Sequence, residues 1–452
     1  MTSSTTPQYL YTLAATIVVI AGGSVIGWSS PALPQLEASD SEVPLTPEQA
    51  SWVGSLLTIG CFFGALPAGS IADYLGRKWA IMSMTIPLIS CWVLIFFAKT
   101  AMMLYIARLI GGLGLGALCT LVPMYVGEIA EDSIRGTLGT AFQLMIVIGL
   151  VYAYSVGAAV KYTMLPLLCG SINIIFLIAY FRAPESPVWL VIKGRRKQAE
   201  ASLRRLRGEL YDPTAEIEAV EDEVRKQNEL KVPFMKAMGK RASIRAFIMC
   251  LGCMFFQQVS GINIVIFYAG NIFKDAGSSM DPAIAAIMIP LAMTFATIVS
   301  ALLIDRLGRK ILLQMSAAAM IICLGVLGYF FYMKENGKDI SNIGLIPIAA
   351  MILYVLMFGI GYGPIPWLMS SELLAPEIKS TCSGIAAGFN WLCAFVVTKS
   401  FQPLVAGVGS AVTFWIFSGF NVLSLIFVTF VLLETKGKNI AEVQEILSGR
   451  KK

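Results

Sequence analysis

The sequence predicts an all-α membrane protein whose chain crosses the bilayer twelve times, in two groups of six helices. Three observations predict it. Charge is scarce: of 452 residues, 57% are hydrophobic and 14% are charged, with a mean hydropathy of +0.74, where a soluble domain carries about 25% charged residues. The apolar residues fall in blocks of about 18 or more, long enough to cross a hydrocarbon core. Finally, charged motifs recur at matching places in the two parts of the chain.

The blocks follow in order. The first, 9–30, has no basic stretch before it and no small-residue cleavage site, so it reads as a span rather than a removed leader. Spans 51–71 and 79–98 flank a tight charged loop. Span 101–123 is glycine-rich, as close backbone approach between membrane helices favours. Spans 137–159 and 163–182 complete the first six. A long polar stretch, 183–243, then suggests short amphipathic helices near 195–208 and 214–229. The second six are 244–272, 281–304, 311–332, 343–369 (again glycine-rich), 380–401 and 411–433. The predicted organisation is a first half at 1–182, a cytoplasmic linker at 183–243, a second half at 244–433 and a cytoplasmic tail at 434–452.

Orientation follows from Lys and Arg. With both termini in the cytoplasm, 27 of the 34 basic residues lie inside; six (Lys99, Lys161, Lys274, Lys334, Lys338 and Lys399) lie outside, and Arg108 is within a span. The first outer loop, 31–50, carries Glu37, Asp40, Glu42 and Glu48 and no basic residue. This is the positive-inside pattern. The net charge of +6 is therefore topology, not a nucleic-acid footprint.

Several function classes drop out. There is no His, which removes imidazole bases and His metal ligands. The nine cysteines sit in or beside apolar segments, as small hydrophobes do; even the pair Cys250 and Cys253 lies in an apolar helix, where no thiolate is favoured. No metal or cofactor is expected. The run Gly111-Gly-Leu-Gly-Leu-Gly116 has no strand before it and is not a dinucleotide loop. An enzyme is not expected.

The repeat is specific. Asp73-Tyr-Leu-Gly-Arg-Lys78 matches Asp305-Arg-Leu-Gly-Arg-Lys310. Glu128 with Arg135 seven residues on matches Glu372 with Lys379. Pro184-Glu185-Ser186 matches Glu434-Thr-Lys-Gly437. The offsets are 232, 244 and 249 residues. Two such halves put a substrate site at their seam near mid-bilayer, with access alternating as they rock. Asp73, Arg77, Glu128, Arg135 and Glu185, with Asp305, Arg309, Glu372, Lys379 and Glu434, are then candidates for a cytoplasmic gate. Exposed pairs are worth about 0–1 kcal/mol each, so a network is needed.

Five amides stand in apolar spans: Gln143, Gln257, Gln258, Asn263 and Asn390. Amides both donate and accept, as sugar hydroxyls do, and polar groups at membrane depth are costly unless used or paired. On one continuous helix, Gln257, Gln258 and Asn263 cannot all share a face. Helix-to-helix amide bonding is expected for at least one of the five. Trp367 follows Gly363-Pro-Ile-Pro, a break expected to act as a hinge.

Gln257-Gln-Val-Ser-Gly-Ile-Asn263, Pro123-Met-Tyr-Val-Gly-Glu128, Arg135-Gly136, Pro184-Glu-Ser-Pro187, Gly363-Pro-Ile-Pro-Trp367 and Glu434-Thr-Lys-Gly437 together resemble the sugar porter family of the major facilitator superfamily. The resemblance runs from the first span to about residue 440. Gly27-Trp-Ser-Ser-Pro-Ala-Leu33 and the short loop ending Ser51-Trp52 are most similar to insect facilitated trehalose transporters and class III glucose transporters. The resemblance implies the major facilitator fold. It implies sugar contacts at Gln143, Gln257, Gln258, Asn263 and Asn390, an aromatic wall at Trp367 and Phe358, and a further candidate at Trp391. Two departures are expected to retune substrate choice: Met293 stands where many relatives place an Asn, and Gly359 where some place a Glu. Ser29 stands where proton-coupled members carry an acid, so a uniporter for a hexose such as glucose or a disaccharide such as trehalose is expected. The alternatives are a proton symporter, a carrier of a polyol or other solute, and a non-transporting sugar receptor. The expected setting is the plasma membrane, as a monomer, with sugar and lipid as partners and no nucleic acid.

Overall fold

A computed structural model describes residues 4–131, 134–229, 234–276, 281–340, 343–438 and 440–449. Among them the regular structure is helical. The first group comprises α1 (Thr6–Gly27), α2 (Ser29–Leu36), α3 (Pro47–Leu75), α4 (Arg77–Ser83), α5 (Thr85–Phe96), α6 (Ala101–Ile129), α7 (Arg135–Ala159) and α8 (Leu165–Tyr180). The polar stretch holds α9 (Pro187–Ile192), α10 (Arg196–Arg207), α11 (Thr214–Glu229) and α12 (Phe234–Met238). The second group is α13 (Arg241–Val259), α14 (Ile262–Ala276), α15 (Pro282–Leu307), α16 (Arg309–Glu335), α17 (Ile346–Ile360), α18 (Ile365–Leu373) and α19 (Pro376–Phe430), and α20 (Ile440–Ser448) ends the chain.

Among the described residues, ten stretches are long and apolar enough to cross a membrane, and α8 is a shorter apolar helix. The last stretch, α19, would be about 80 Å long at 1.5 Å per residue, far beyond a core of about 30 Å. Gly409, at φ +85° and ψ 163°, divides it. The turn is held by Glu335, which accepts the Ser410 N–H at 2.8 Å. So divided, the described residues contain twelve apolar segments. Several helices overrun the apolar blocks: α3 begins at Pro47 because Thr46 and Gln49 form a capping box, and α6 continues to Ile129.

Glycines set the closest contacts. A Cβ at Gly60, Gly64, Gly112 or Gly116 would lie within 2.3 Å of a backbone oxygen on the facing helix, so α3 and α6 touch backbone to backbone. This is the small-residue packing of membrane helices.

In the polar stretch, α10 and α11 fall where the periodicity puts helices. Helix α10 buries Ala199, Ser202, Leu203, Leu206 and Arg207, the one-face spacing of an amphipathic helix. It is pinned by Ser202 Oγ on Glu185 O (2.6 Å), by Arg207 on Ile129 O (2.8 Å), and by Arg207 with Glu216 (2.8 Å). The short helices α9 and α12 have no hydropathy signal of their own.

Candidate functional site

Gln257 and Gln258 occupy the last turn of α13, which stops at Ser260 and Gly261. Gly261 has φ +95°, a conformation glycine adopts without Cβ strain. The freed Ser260 carbonyl accepts the Tyr354 hydroxyl at 2.9 Å. Helix α14 restarts at Ile262 in a new direction, and this corrects the one-face argument. Two helices, not one, carry the amides, so Asn263 Nδ2 reaches back to Gln258 Oε1 at 2.5 Å.

A second break lies between α17 and α18, at Gly361–Pro364. It frees carbonyls that would otherwise be orphaned in the bilayer. Gln257 Nε2 donates to two of them, Tyr362 O (2.7 Å) and Gly363 O (3.0 Å). From α19, Asn390 Nδ2 donates to Gln257 Oε1 (2.8 Å) and Met254 O (3.1 Å), while Gln258 Nε2 donates to Asn390 Oδ1 at 2.9 Å. Four of the five expected amides thus form one cluster at two helix breaks. The amide-to-amide bonding expected for at least one extends to all four.

The remaining candidates divide. Trp391 follows Asn390, and its indole N–H is buried with no hydrogen-bond partner among the described residues. Phe358 is 5% exposed and Trp367 is 36% exposed, on opposite sides of the second break. Gln143, on α7, is half-buried and makes no hydrogen bond to this cluster. Met293 is buried. A Cβ at Gly359 would lie 2.6 Å from Ala296 Cβ, so helix contact, not an open pocket, occupies the position where a Glu is absent.

Arg108, on α6, is fully buried. Its guanidinium donates to Val53 O (3.1 Å), Val25 O (2.6 Å) and Ser29 Oγ (2.8 Å), and lies 5.2 Å from the Trp28 ring centroid. Ser29 comes within reach because it stands one turn after Val25, on a backbone that stays helical through Trp28 (φ −55°, ψ −34°). Carbonyls, a hydroxyl and an indole therefore meet this charge, where an acid would otherwise pair with it.

The charged residues form two matching clusters. Arg77 pairs with Glu128 (2.9 Å) and Asp73 (3.0 Å). Arg309 pairs with Glu372 (2.8 Å) and Asp305 (3.1 Å). Glu185 accepts the Arg77 and Lys78 N–H groups (2.9 and 3.0 Å), and Glu434 accepts those of Arg309 and Lys310 (3.1 and 2.9 Å). Each carboxylate fits only because a glycine precedes the arginine. A Cβ at Gly76 would lie 2.4 Å from Glu185 Oε2, and one at Gly308 2.8 Å from Glu434 Oε2. Ser186 donates to Glu128 and Thr435 to Glu372. Sequence reasoning left out these two hydroxyls, although the repeat aligns them. Burial pushes the Glu185 carboxyl above its ordinary value. Burial acts the same way on Glu434, but its backbone N–H bonds outweigh it and hold the carboxyl below the ordinary value. The Arg135 side chain lies outside the described residues. Lys379 makes no ion pair among them.

Among the described residues, each charged cluster closes within its own half. Hydrogen bonds between the halves gather at the opposite end. Asn271 donates to Glu37 (2.6 Å), Gly270 N to Ser30 (3.2 Å), Ser51 to Lys399 O (3.3 Å), and Tyr154 to Ile266 O. Lys399 Nζ stands 4.6 Å from the Trp52 ring centroid. That end is shut.

The sequence model of a family described as "Sugar (and other) transporter" matches residues 12–447. The chain belongs to the sugar transporter family. It is 38% identical to the facilitated trehalose transporter Tret1 of Polypedilum vanderplanki, over 99% of this chain and 90% of that protein. It is 37% identical to Tret1 of Aedes aegypti, over 99% of this chain but only 56% of that protein; it likewise spans about half the length of the Drosophila mojavensis relative. Among solved structures, the partially occluded inward-open xylose transporter XylE from E. coli superposes with a TM-score of 0.81 at 22% identity, over 96% of this chain and all of that one. The proton:xylose symporter XylE bound to 6-bromo-6-deoxy-D-glucose gives 0.78 at 24%, over 98% of this chain and 99% of that one. The fold is that of the major facilitator superfamily, and the chain is a multi-pass membrane protein.

Proposed function

We propose that this transporter is a facilitative carrier that moves a hexose such as glucose, or a disaccharide such as trehalose, down its gradient by alternating access. The observation that carries the sugar reading is the amide cluster of Gln257, Gln258, Asn263 and Asn390. Its members are uncharged and bond one another. A sugar hydroxyl both donates and accepts, so it can replace an amide partner without leaving a buried group unpaired. Phe358, Trp367 and Trp391 supply apolar faces for sugar C–H groups, and the unpartnered indole N–H of Trp391 a further donor. Gln143 contributes from the first half.

Arg108 supports uniport over symport. Proton coupling needs a group that gains and loses a proton during the cycle. The residue on its guanidinium is Ser29, which holds its proton at every physiological pH. The twelve segments cross the plasma membrane with both termini and the linker in the cytoplasm, following the basic residues. The charged clusters on that face hold each half rigid while the halves rock. The names of the relatives put trehalose first among substrates to test.

The test is uptake of radiolabelled trehalose and glucose into proteoliposomes, with and without an inward proton gradient. Equilibration of sugar across the membrane, unaffected by the gradient, is expected. Accumulation above the external concentration would overturn uniport. Absence of flux, with saturable sugar binding retained, would point to a receptor.

A further inference from the structure

Above Leu109, no glycine of α3 or α6 packs against the other helix's backbone. Their inner portions are locked by the contacts of Gly60, Gly64, Gly112 and Gly116. Toward the end where the halves are shut, the facing residues are large side chains in place of the glycines. The result is a cavity of about 500 Å³ lined by Glu48, Gln49, Trp52, Leu56, Met102, Tyr105, Ile106 and Leu109. Residues 48, 52 and 56 form an i, i+4 stripe on one helix, and 102, 105, 106 and 109 an i, i+3, i+4 stripe on the other. Met102 and Ile106 are exposed on membrane-spanning helices, so the groove opens to lipid.

We propose that this groove binds a sterol from the outer leaflet, and that the bound sterol holds the adjacent outer closure shut through Trp52. The walls favour that chemistry. From Glu48 to Leu56 the groove runs about 12 Å at 1.5 Å per residue, suited to a rigid fused-ring body, and its flanks are the flat rings of Trp52 and Tyr105. Polar groups cluster at its outer end. Gln49 is already used in the α3 cap. Glu48, which is exposed, is left to accept one hydroxyl donor, with the Tyr105 hydroxyl beside the same cavity. No Lys or Arg is among the lining residues, so they offer a phospholipid phosphate no cation to pair with. A sterol brings a single hydroxyl and no anion.

Trp52 makes the site consequential. Beyond lining the groove, it touches the facing half: Lys399 Nζ is 4.6 Å from its ring centroid, and the Phe395 ring is 6.1 Å away. The neighbouring Ser51 bonds Lys399 O at 3.3 Å. Parting the halves at this end removes all three contacts. A ligand that packs Trp52 in its present position binds the shut state better than the open one, and so shifts the population toward it.

The word "outer" rests on the orientation proposed above; the groove does not. The test reconstitutes the full chain in phosphatidylcholine liposomes and uses a photoactivatable cholesterol analogue. Labelling is expected on peptides 48–56 and 102–109, competed by excess cholesterol and lost in Leu56→Trp and in Ile106→Trp. The second variant changes an exposed side chain, 45% accessible, so its folding is little at risk. Labels scattered over all lipid-facing helices, labels unaffected by both variants, or displacement by phospholipid in place of cholesterol would overturn the site. For the coupling, Ser51→Cys is reacted with a membrane-impermeant maleimide. Cholesterol should slow labelling by about fivefold in this variant and leave it unchanged once Ile106→Trp is added. An equal rate with and without cholesterol would overturn the link to the closure. Reaction from the opposite membrane face would refute the orientation alone, because the photolabel reads the groove from either side.

Discussion

Replacing Gln258 by Ala removes the hub of the amide cluster. In the structure its Oε1 accepts from Asn263 and its Nε2 donates to Asn390. The substitution therefore takes two potential hydroxyl contacts from the substrate and leaves the half-buried Asn263 and the buried Asn390 each short of a partner. A net hydrogen bond is worth about 0.5–1.5 kcal/mol, so losing two weakens sugar binding by roughly 1–3 kcal/mol. At about 1.4 kcal/mol per tenfold, half-saturation rises by roughly 5- to 150-fold. The fold should survive. Hydrogen bonds between membrane helices average about 0.6 kcal/mol, and Asn390 keeps its bonds to Gln257 and Met254. The assay is concentration-dependent uptake in proteoliposomes, alongside thermal stability in detergent. Half-saturation within twofold of the parent, at equal protein, would refute the assignment of this cluster to the substrate.

Four further outcomes follow from the same geometry. Ser29→Asp places a titratable carboxylate against Arg108, whose guanidinium is now 2.8 Å from the serine oxygen; uptake should become dependent on external pH where the parent is flat, because a carboxyl gains and loses a proton and a serine hydroxyl does not. Gly359→Ala drives a Cβ to 2.6 Å from Ala296, and a melting measurement should find it destabilised by roughly 1–3 kcal/mol, the usual cost of overpacking. Glu335→Ala strips the cap from the Gly409 turn and should cost about 0.5–2 kcal/mol without changing half-saturation. Glu434 is held below its ordinary value of 4.5, so its contribution to stability is present above that pH and is lost as pH falls through its lower folded value. Glu185 is shifted upward, so its ionised form is disfavoured in the fold. Melting curves at pH 7 and near pH 4 should therefore give a Glu434→Gln deficit that shrinks on acidification, while Glu185→Gln shows no such loss.

Much of the architecture was legible in the chain because bilayer physics is local. A block too apolar for water and long enough to span betrays itself by length and composition. Loop charge predicts an orientation by counting, and three motif pairs point to a duplication. The two arginine clusters could be paired residue by residue, because the repeat carries both partners of each ion pair. The amides were legible as a set, since each is conspicuous in an apolar span.

Their arrangement was not legible. Whether Asn263 meets Gln258 depends on a single positive φ at Gly261, and one dihedral leaves no trace in hydropathy. The partners of Gln257 are backbone carbonyls about a hundred residues away, freed by a break whose depth only packing decides. The surroundings of Arg108 come from three helices that meet through glycine contacts. The same glycines end at Leu109 and open the groove above it. The sequence alone determined which groups enter the membrane, because transfer from water acts on each segment separately. The tertiary structure decided which of those groups satisfy one another, because hydrogen bonds and close packing act between segments and depend on where helices break.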